Sequence, residues 1–425
     1  MCLIRLSRWL VVAIGLLLST HALPATELLP RQSVDSLETK LLADAADGRL
    51  DRFTLLQAAL ISGGIDQAEQ LRTVQERLEV KWRELSLPSI SQLPPKERVR
   101  FVLAGVHRLL LTGSYKADCT EPHATVETGD FNCVTATILF MELNRRHGVA
   151  TTSVAVPGHV YARVKHAPAV DIQTTCREWM DVLEGRVASA EAKALLRQMA
   201  ERDQQSRELS DVELLGKVYY NRGVSLLEQQ DFSGAVAILH TSLKFDKLDQ
   251  PARNNLLAAY NNWALALCDQ GDYAAAAAKL AEGHKYDPHY APLLTNDLHV
   301  HQKWVLALCD RGRYADALSL LDRGYQRRPE VPLFDGGRFA VCGLWFKSLL
   351  ETQRLESALA MLDATYQRYG HSEELTRQEV AAFEANAERL LTQNNPRAVN
   401  QLLAIALQRH PQSEALHKLK LRAGQ

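Results

Sequence analysis

The chain has 425 residues, enough for two or three domains, and its 49 lysines and arginines nearly balance its 50 aspartates and glutamates. With 46% hydrophobic residues the composition is that of a soluble globular protein, and the balanced charge gives no indication of nucleic-acid or membrane-surface binding. There is no Walker-type or dinucleotide-binding glycine loop and no Cys-x-x-Cys pair, which argues against bound nucleotide and structural zinc.

The N-terminal residues 1–22 have the pattern of a secretory signal peptide. Arg5 and Arg8 precede an apolar run over residues 9–18, and two small residues, two positions apart, follow it. This order predicts export to the periplasm or the extracellular space. The alternative is an uncleaved anchor, the one case in which we would expect the protein to be attached to a membrane.

Helical patterns follow over residues 35–46, 50–62, 65–85 and 94–112. A polar stretch over residues 114–130 then predicts a loop.

The next stretch combines a cysteine, a histidine and an aspartate at the ends of predicted elements. A helix is predicted from Asn132 or Cys133 to Arg146, so Cys133 lies at a helix N-terminus, where unpaired N–H groups favour a thiolate and an oxyanion. The period then changes to two, and "VATTSVAVP", "HVYARVK" and "AVDIQTT" predict three strands. His159 begins the second strand and Asp171 lies on the third, so we expect the two side chains to lie within hydrogen-bonding reach.

The segments "NCVTATILFMELNRRHGV", "PGHVYARV" and "AVDIQTT" resemble the transglutaminase-like fold of the papain-like cysteine enzymes over about residues 95–180. The resemblance implies Cys133 as nucleophile, His159 as general base and then acid, and Asp171 as the group that orients the imidazole. Asn132 is a candidate for the second oxyanion donor. Many members follow the acid with Pro and Thr, whereas this chain has Ile172 and Gln173.

Taken one at a time, these residues also have ordinary interpretations. Cys133 alone could be a core cysteine, His159 a structural histidine and Asp171 a charge at a strand edge. A zinc site made by the same three residues would need a further ligand or a water. Cys119 and Cys176 flank the stretch and could form a disulfide.

The C-terminal half repeats with a period of 41 residues. Leucine recurs at that spacing, at Leu239, Leu280, Leu321, Leu362 and Leu403, and small or branched residues recur at Ala235, Ala276, Ala317, Ala358 and Val399. Gly271 and Gly312 predict helix ends within each pair of helices. Over about residues 212–420 this pattern resembles the tetratricopeptide repeat, which implies a surface that binds segments of other proteins.

The predicted architecture is therefore an α+β transglutaminase-like domain followed by an all-α tetratricopeptide-like solenoid. The first, with helices packed on a small antiparallel sheet, covers residues 27–205. The solenoid covers residues 206–425 with about five helix pairs.

The predicted function is that of an exported cysteine hydrolase or acyltransferase that attacks a peptide, amide or isopeptide carbonyl and forms a thioester. Water would release an acid and an amine would give a crosslink. This chemistry requires no cofactor and no metal, and no calcium-loop signature is present. The alternative hypothesis is a non-catalytic scaffold in which an inactive domain accompanies repeats that mediate protein–protein interactions.

Overall fold

The structure, a computed structural model, describes most of the chain after the predicted signal peptide, which lies outside the described residues. Described are residues 36–85, 90–166, 168–187 and 205–424, with positions 190, 193, 194, 196 and 197. The chain divides into two compact units between Ala259 and Tyr260. In the described ranges, no helix combines the length and the apolar character needed to cross a membrane.

The first unit contains the helices that apolar periodicity predicts, and two short ones, the fifth and the seventh, that it does not. In chain order they are α1 (Leu37–Asp44), α2 (Leu55–Ser62), α3 (Ala68–Arg83), α4 (Pro95–Leu109), α5 (Pro122–Thr128), α6 (Cys133–Arg146), α7 (Trp179–Leu183), α8 (Asp211–Glu228) and α9 (Phe232–Phe245). The four helices predicted before residue 113 correspond to α1–α4. Helix α5 corrects the prediction of a polar loop: Pro122 occupies its first turn, and Gly129, at φ 79°, ends it.

A four-stranded antiparallel sheet forms the β layer of the first unit, in the order β3-β2-β1-β4. The strands are β1 (Thr151–Val156), β2 (His159–Val164), β3 (Val170–Ile172) and β4 (Arg207–Leu209). The three predicted strands are present, and β4 is one that the sequence pattern did not reveal. Ala162 of β2 and Ile172 of β3 are fully buried in the same apolar core as α6.

The first helix pair of the repeat region is part of the first unit. Arg145 of α6 donates two hydrogen bonds, 2.5 and 2.7 Å long, to Asp211 of α8, and Arg207 of β4 pairs with the buried carboxylate of Asp246. Since β4 also completes the sheet, the first unit extends well past residue 205. The division of the chain therefore lies later than the predicted boundary at 205/206.

Paired helices also build the rest of the chain, which confirms the predicted helical repeat. They are α10 (Gln250–Asp269), α11 (Tyr273–His284), α12 (Ala291–Asp310), α13 (Tyr314–Arg327), α14 (Pro332–Glu351), α15 (Leu355–Tyr369), α16 (Glu373–Thr392), α17 (Pro396–Arg409) and α18 (Glu414–Ala423). The repeated leucines and the repeated small residues are all fully buried. The period of 41 residues therefore marks the positions where the helices of each pair pack together.

The turn inside each pair uses a left-handed residue at the same repeat position. Gly271 and Gly312 have φ of 81° and 66°, as their predicted role as helix ends requires. The equivalent Gln230, Gln353 and Asn394 have φ of 62°, 60° and 52° although each carries a Cβ atom. Packing of the flanking helices thus imposes the left-handed conformation even on residues for which it is strained.

This strain predicts that Gln353→Gly stabilises the protein. The side chain of Gln353 is exposed, so its replacement removes backbone strain and little packing, and we expect the free energy of unfolding to rise by about 0.5–1 kcal/mol. Urea denaturation measures the change. The matched control is Gly271→Gln, which should lower stability by a similar amount because it introduces the same backbone strain. An added Cβ atom at that position meets nothing within 4 Å, so no steric clash contributes to the change. A Gln353→Gly variant less stable than the wild type would contradict this account.

Candidate active site

The N-terminus of α6 is held by a capping box that leaves the Cys133 N–H available. Asn132 Oδ1 accepts hydrogen bonds of 2.9 Å from the N–H groups of Val134 and Thr135, and the Asn132 N–H donates to Thr135 Oγ1. The next N–H, of Ala136, bonds to the Asn132 carbonyl. In the described part of the chain the Cys133 N–H has no such acceptor.

The imidazole of His159 lies beside the thiol of Cys133 and interacts with it. Burial by itself would raise the pKa of this thiol. The hydrogen bond and positive charge of His159, together with the Val160 N–H and the Tyr115 hydroxyl, outweigh burial, so the pKa of Cys133 lies below its ordinary value. A helix N-terminus and the start of β2 therefore meet at an activated sulfur atom.

Gln173, and not Asp171, is the residue hydrogen-bonded to the far side of this imidazole. His159 Nε2 donates to Gln173 Oε1 at 2.6 Å. Since an imidazole has two ring nitrogens, this bond leaves Nδ1 as the nitrogen that can exchange a proton with the thiol of Cys133. The observed chain of contacts is thus Cys133–His159–Gln173.

The prediction that Asp171 orients His159 is wrong, because strand register places the carboxylate elsewhere. Asp171 lies directly opposite Arg163, whose Nε and Nη2 donate to its two oxygens at 2.6 and 2.9 Å. Arg163 is four residues beyond His159 along β2, or about 13 Å away. Gln173 follows β3 directly and lies two residues closer to the start of β2, so its amide reaches the imidazole.

Buried polar contacts hold the residue after Gln173. His107 Nε2 donates to the Thr174 carbonyl at 3.0 Å, and the hydroxyls of Thr137 and Thr174 are 2.9 Å apart. Burial lowers the pKa of His107, which therefore remains neutral and donates one ring N–H. These bonds attach the end of β3 to α4 and α6, and so fix the position of the Gln173 amide.

Tyr115 is a residue of the site that sequence reasoning missed. Its hydroxyl lies beside the thiol of Cys133 and interacts with it, and the residue is 41% exposed. It lies in the segment predicted to be a polar loop. An aromatic residue among polar ones was the feature of the sequence that could have pointed to a role for Tyr115.

Asn132, the predicted oxyanion candidate, lies next to the nucleophile but is 2% exposed. Its side-chain oxygen, Oδ1, caps the N-terminus of α6, and its side-chain nitrogen, Nδ2, has no hydrogen-bond partner within the described residues. A substrate approaching from solvent would reach Tyr115 before it reached this nitrogen.

The remaining thiols differ from Cys133 in their electrostatics. Burial raises the pKa of Cys119, Cys268, Cys309 and Cys342, which makes them poor nucleophiles. Cys268 and Cys309 are buried among apolar residues of their helices. Cys119 carries a free thiol that bonds to the Asp130 carbonyl at 3.2 Å, so it forms no disulfide with Cys176.

The geometry of the site does not fit the zinc alternative. Asp171 is engaged by Arg163, which leaves Cys133 and His159 as the only two of the three proposed ligands that lie together. Within the described ranges, no group of three or more His, Cys, Asp or Glu residues is placed to hold a metal ion.

A surface cavity of about 260 Å³ lies beside α4 and α7, and none of its lining residues is Cys133, His159 or Gln173.

Comparisons with known proteins add little to this description. No family model matches the chain, and no curated protein matches it. The solved structures that match include the crystal structure of the P58(IPK) TPR domain, which is 14% identical, has a TM-score of 0.19 and covers 91% of this chain and 94% of its own. A TM-score of this size supports no conclusion, so the helical repeat described above rests on the helix pairs of this chain alone.

The site predicts opposite behaviour for two neighbouring substitutions. Gln173→Ala should slow alkylation of Cys133 by iodoacetamide at pH 6.5 by about tenfold, because the imidazole loses its orienting acceptor. Asp171→Asn should leave that rate nearly unchanged, since the carboxylate contacts Arg163. Mass spectrometry of the labelled peptide measures both rates. Loss of reactivity in Asp171→Asn with none in Gln173→Ala would contradict the assignment.

Proposed function

We propose that this protein combines thiol-dependent acyl-transfer chemistry at Cys133 with recruitment of a protein partner by its helical repeats. The observation that carries the catalytic half is the position of His159 beside the thiol of Cys133, which begins α6, with the pKa of that thiol lowered. It agrees with the resemblance of residues 95–180 to the transglutaminase-like, papain-like enzymes.

In the proposed reaction His159 takes the proton of Cys133, and the thiolate attacks the carbonyl carbon of a peptide, amide or isopeptide bond. The carbonyl π electrons move to oxygen, and the imidazolium then protonates the leaving amine as the C–N bond breaks. The product is a thioester on Cys133. Water would make the overall reaction hydrolysis, and a second amine would make it acyl transfer.

Gln173 gives this site a neutral orienting group in place of a carboxylate. An amide oxygen holds the imidazole in one tautomer and orientation, which is the part of the role that geometry requires. It supplies no full negative charge to stabilise the imidazolium, so the Cys133–His159 ion pair depends more on the helix N-terminus and on its other hydrogen bonds.

The helical repeats support the binding half of the proposal. Tetratricopeptide-like arrays of helix pairs usually bind segments of other proteins. The partner would then be the acyl-transfer substrate or a protein that places the substrate at the site.

The second candidate function is a non-catalytic scaffold that mediates protein–protein interactions. The repeats, which build the whole second unit, support it without any chemistry at Cys133. The ion pair between Asp171 and Arg163 supports it as well. The resemblance implies that Asp171 orients His159, but its carboxylate is bonded to Arg163 instead.

Reactivity of Cys133 separates the two candidate functions. Iodoacetamide labelling should show a pH midpoint below the value of about 8.5 for an ordinary thiol, because the neighbouring donors favour the thiolate. His159→Ala should move the midpoint upward and reduce labelling at pH 6.5 by about tenfold or more. Quantitative mass spectrometry of the Cys133 peptide over pH 5–10 measures both.

The chain supplies its own control for this experiment. Cys268 and Cys309, whose pKa values are raised by burial, should label slowly in the folded protein at every pH up to about 8.5. If Cys133 labels as slowly as they do and ignores His159→Ala, the scaffold is the correct function.

We also propose export, on the residue pattern of residues 1–22. Cleavage after this segment would remove Arg5 and Arg8, and the mature protein should begin near residue 23. N-terminal sequencing of the protein secreted by an expressing cell tests this, with Ile14→Arg as a variant that should block export by interrupting the apolar run. Intact residues 1–22 on the exported protein would favour the membrane anchor.

A further inference from the structure

The segment that carries Tyr115 is attached to the backbone just before the nucleophile. The Phe131 N–H donates to the Ser114 carbonyl at 3.2 Å, and the Lys116 N–H donates to the Phe131 carbonyl at 2.8 Å. Tyr115 therefore sits between two hydrogen bonds to a residue two positions before Cys133. This short parallel pairing fixes the backbone of Tyr115 relative to the N-terminus of α6.

The ring of Tyr115 is also positioned by packing. It meets the ring of Phe131 edge to face, with centroids 6.1 Å apart and an interplanar angle of 83°. Its hydroxyl lies beside the sulfur of Cys133 and interacts with it, and the residue is 41% exposed. The partly exposed residue thus places its hydroxyl beside the nucleophile, where a substrate carbonyl must arrive.

The hydroxyl of Tyr115 remains a proton donor throughout the working pH range. Burial raises its pKa, and the neighbouring Cys133 thiolate raises it further. A phenol with a raised pKa beside an anion keeps its proton and directs it toward the negative charge. That behaviour is required of a group that stabilises an anion and does not itself ionise.

A second donor is available at the same place. The N–H of Cys133 has no acceptor among the described residues, whereas the N–H groups of the following three residues are all bonded to Asn132. Attack by sulfur moves the negative charge to the carbonyl oxygen, two bonds away. A donor that bonds the sulfur beforehand needs only a small rotation to bond that oxygen.

We propose that Tyr115 is a catalytic residue of this site: its hydroxyl donates to the Cys133 thiolate in the resting protein and to the carbonyl oxyanion during acylation, together with the Cys133 N–H. This inference rests on the proposed thiol-dependent function. No bond to Tyr115 forms or breaks, and its proton stays on the phenol, so the proton given to the leaving group comes only from His159.

The test compares two electrophiles on Tyr115→Phe, of which only one forms an oxyanion. Iodoacetamide alkylates a thiolate by displacement of iodide, whereas p-nitrophenyl acetate acylates it through a tetrahedral oxyanion. Both rates are measured at Cys133 by mass spectrometry, at a pH where wild type and variant are fully thiolate. Acylation should fall by about tenfold or more while alkylation stays equal or rises slightly.

Controls separate failure of this inference from failure of the proposed function. Tyr220→Phe removes a hydroxyl whose bond is to Asn255, and it should change neither rate. His159→Ala tests the Cys–His pair by itself. If His159→Ala alkylates like wild type, the thiol-dependent function is lost and this inference with it.

If the Cys–His pair is present, three results would overturn the role of Tyr115 alone. Equal rates of acylation in wild type and Tyr115→Phe would mean that no oxyanion bond forms. A parallel loss in both reactions would mean that Tyr115 only supports the thiolate or the local fold. Faster acylation in the variant would mean that the hydroxyl obstructs the sulfur.

Discussion

The pairing of β2 with β3 is the constraint on which the arrangement of the site depends. In an antiparallel ladder a residue's neighbours are set by register, so Asp171 faces Arg163, and Gln173, two positions later, lies two residues nearer the start of β2. His159 begins β2, and helix α6 begins beside it with Cys133. One set of backbone hydrogen bonds thus decides which polar group meets the imidazole, and the thiol's low pKa depends on that imidazole in turn.

Support for the site comes from several elements that are distant in sequence. His107 on α4 and Thr137 on α6 hold the chain after β3, and the segment around Tyr115 is bonded to Phe131. Farther from the site, Arg145 bonds to Asp211 at the start of α8. The first helix pair is therefore fastened to the same unit that carries the nucleophile. A binding domain that included all the repeats would have to be separated from the rest of the chain by breaking these contacts.

The repeats show how packing can override local preference. Leucines and small residues at a spacing of 41 residues are buried wherever they occur, and that regularity was visible from residue types alone. The left-handed turn is kept at the same position even where the residue is Gln230 or Gln353. The exposed turn residue contributes little to holding the pair together, so it can vary while the buried positions between the helices cannot.

The sequence by itself determined the helical repeat, the positions of most helices, three strands of the sheet, and the placement of Cys133 and His159 at the starts of a helix and a strand. Each follows from local periodicity or from residues at the ends of adjacent elements. Tertiary structure decided the rest. Strand register chose Gln173 over Asp171, a pairing between two loop segments brought in Tyr115, and long-range contacts through β4 joined the first helix pair to the first unit. These outcomes depend on hydrogen bonds between residues far apart in the chain, for which periodicity and propensity carry no signal.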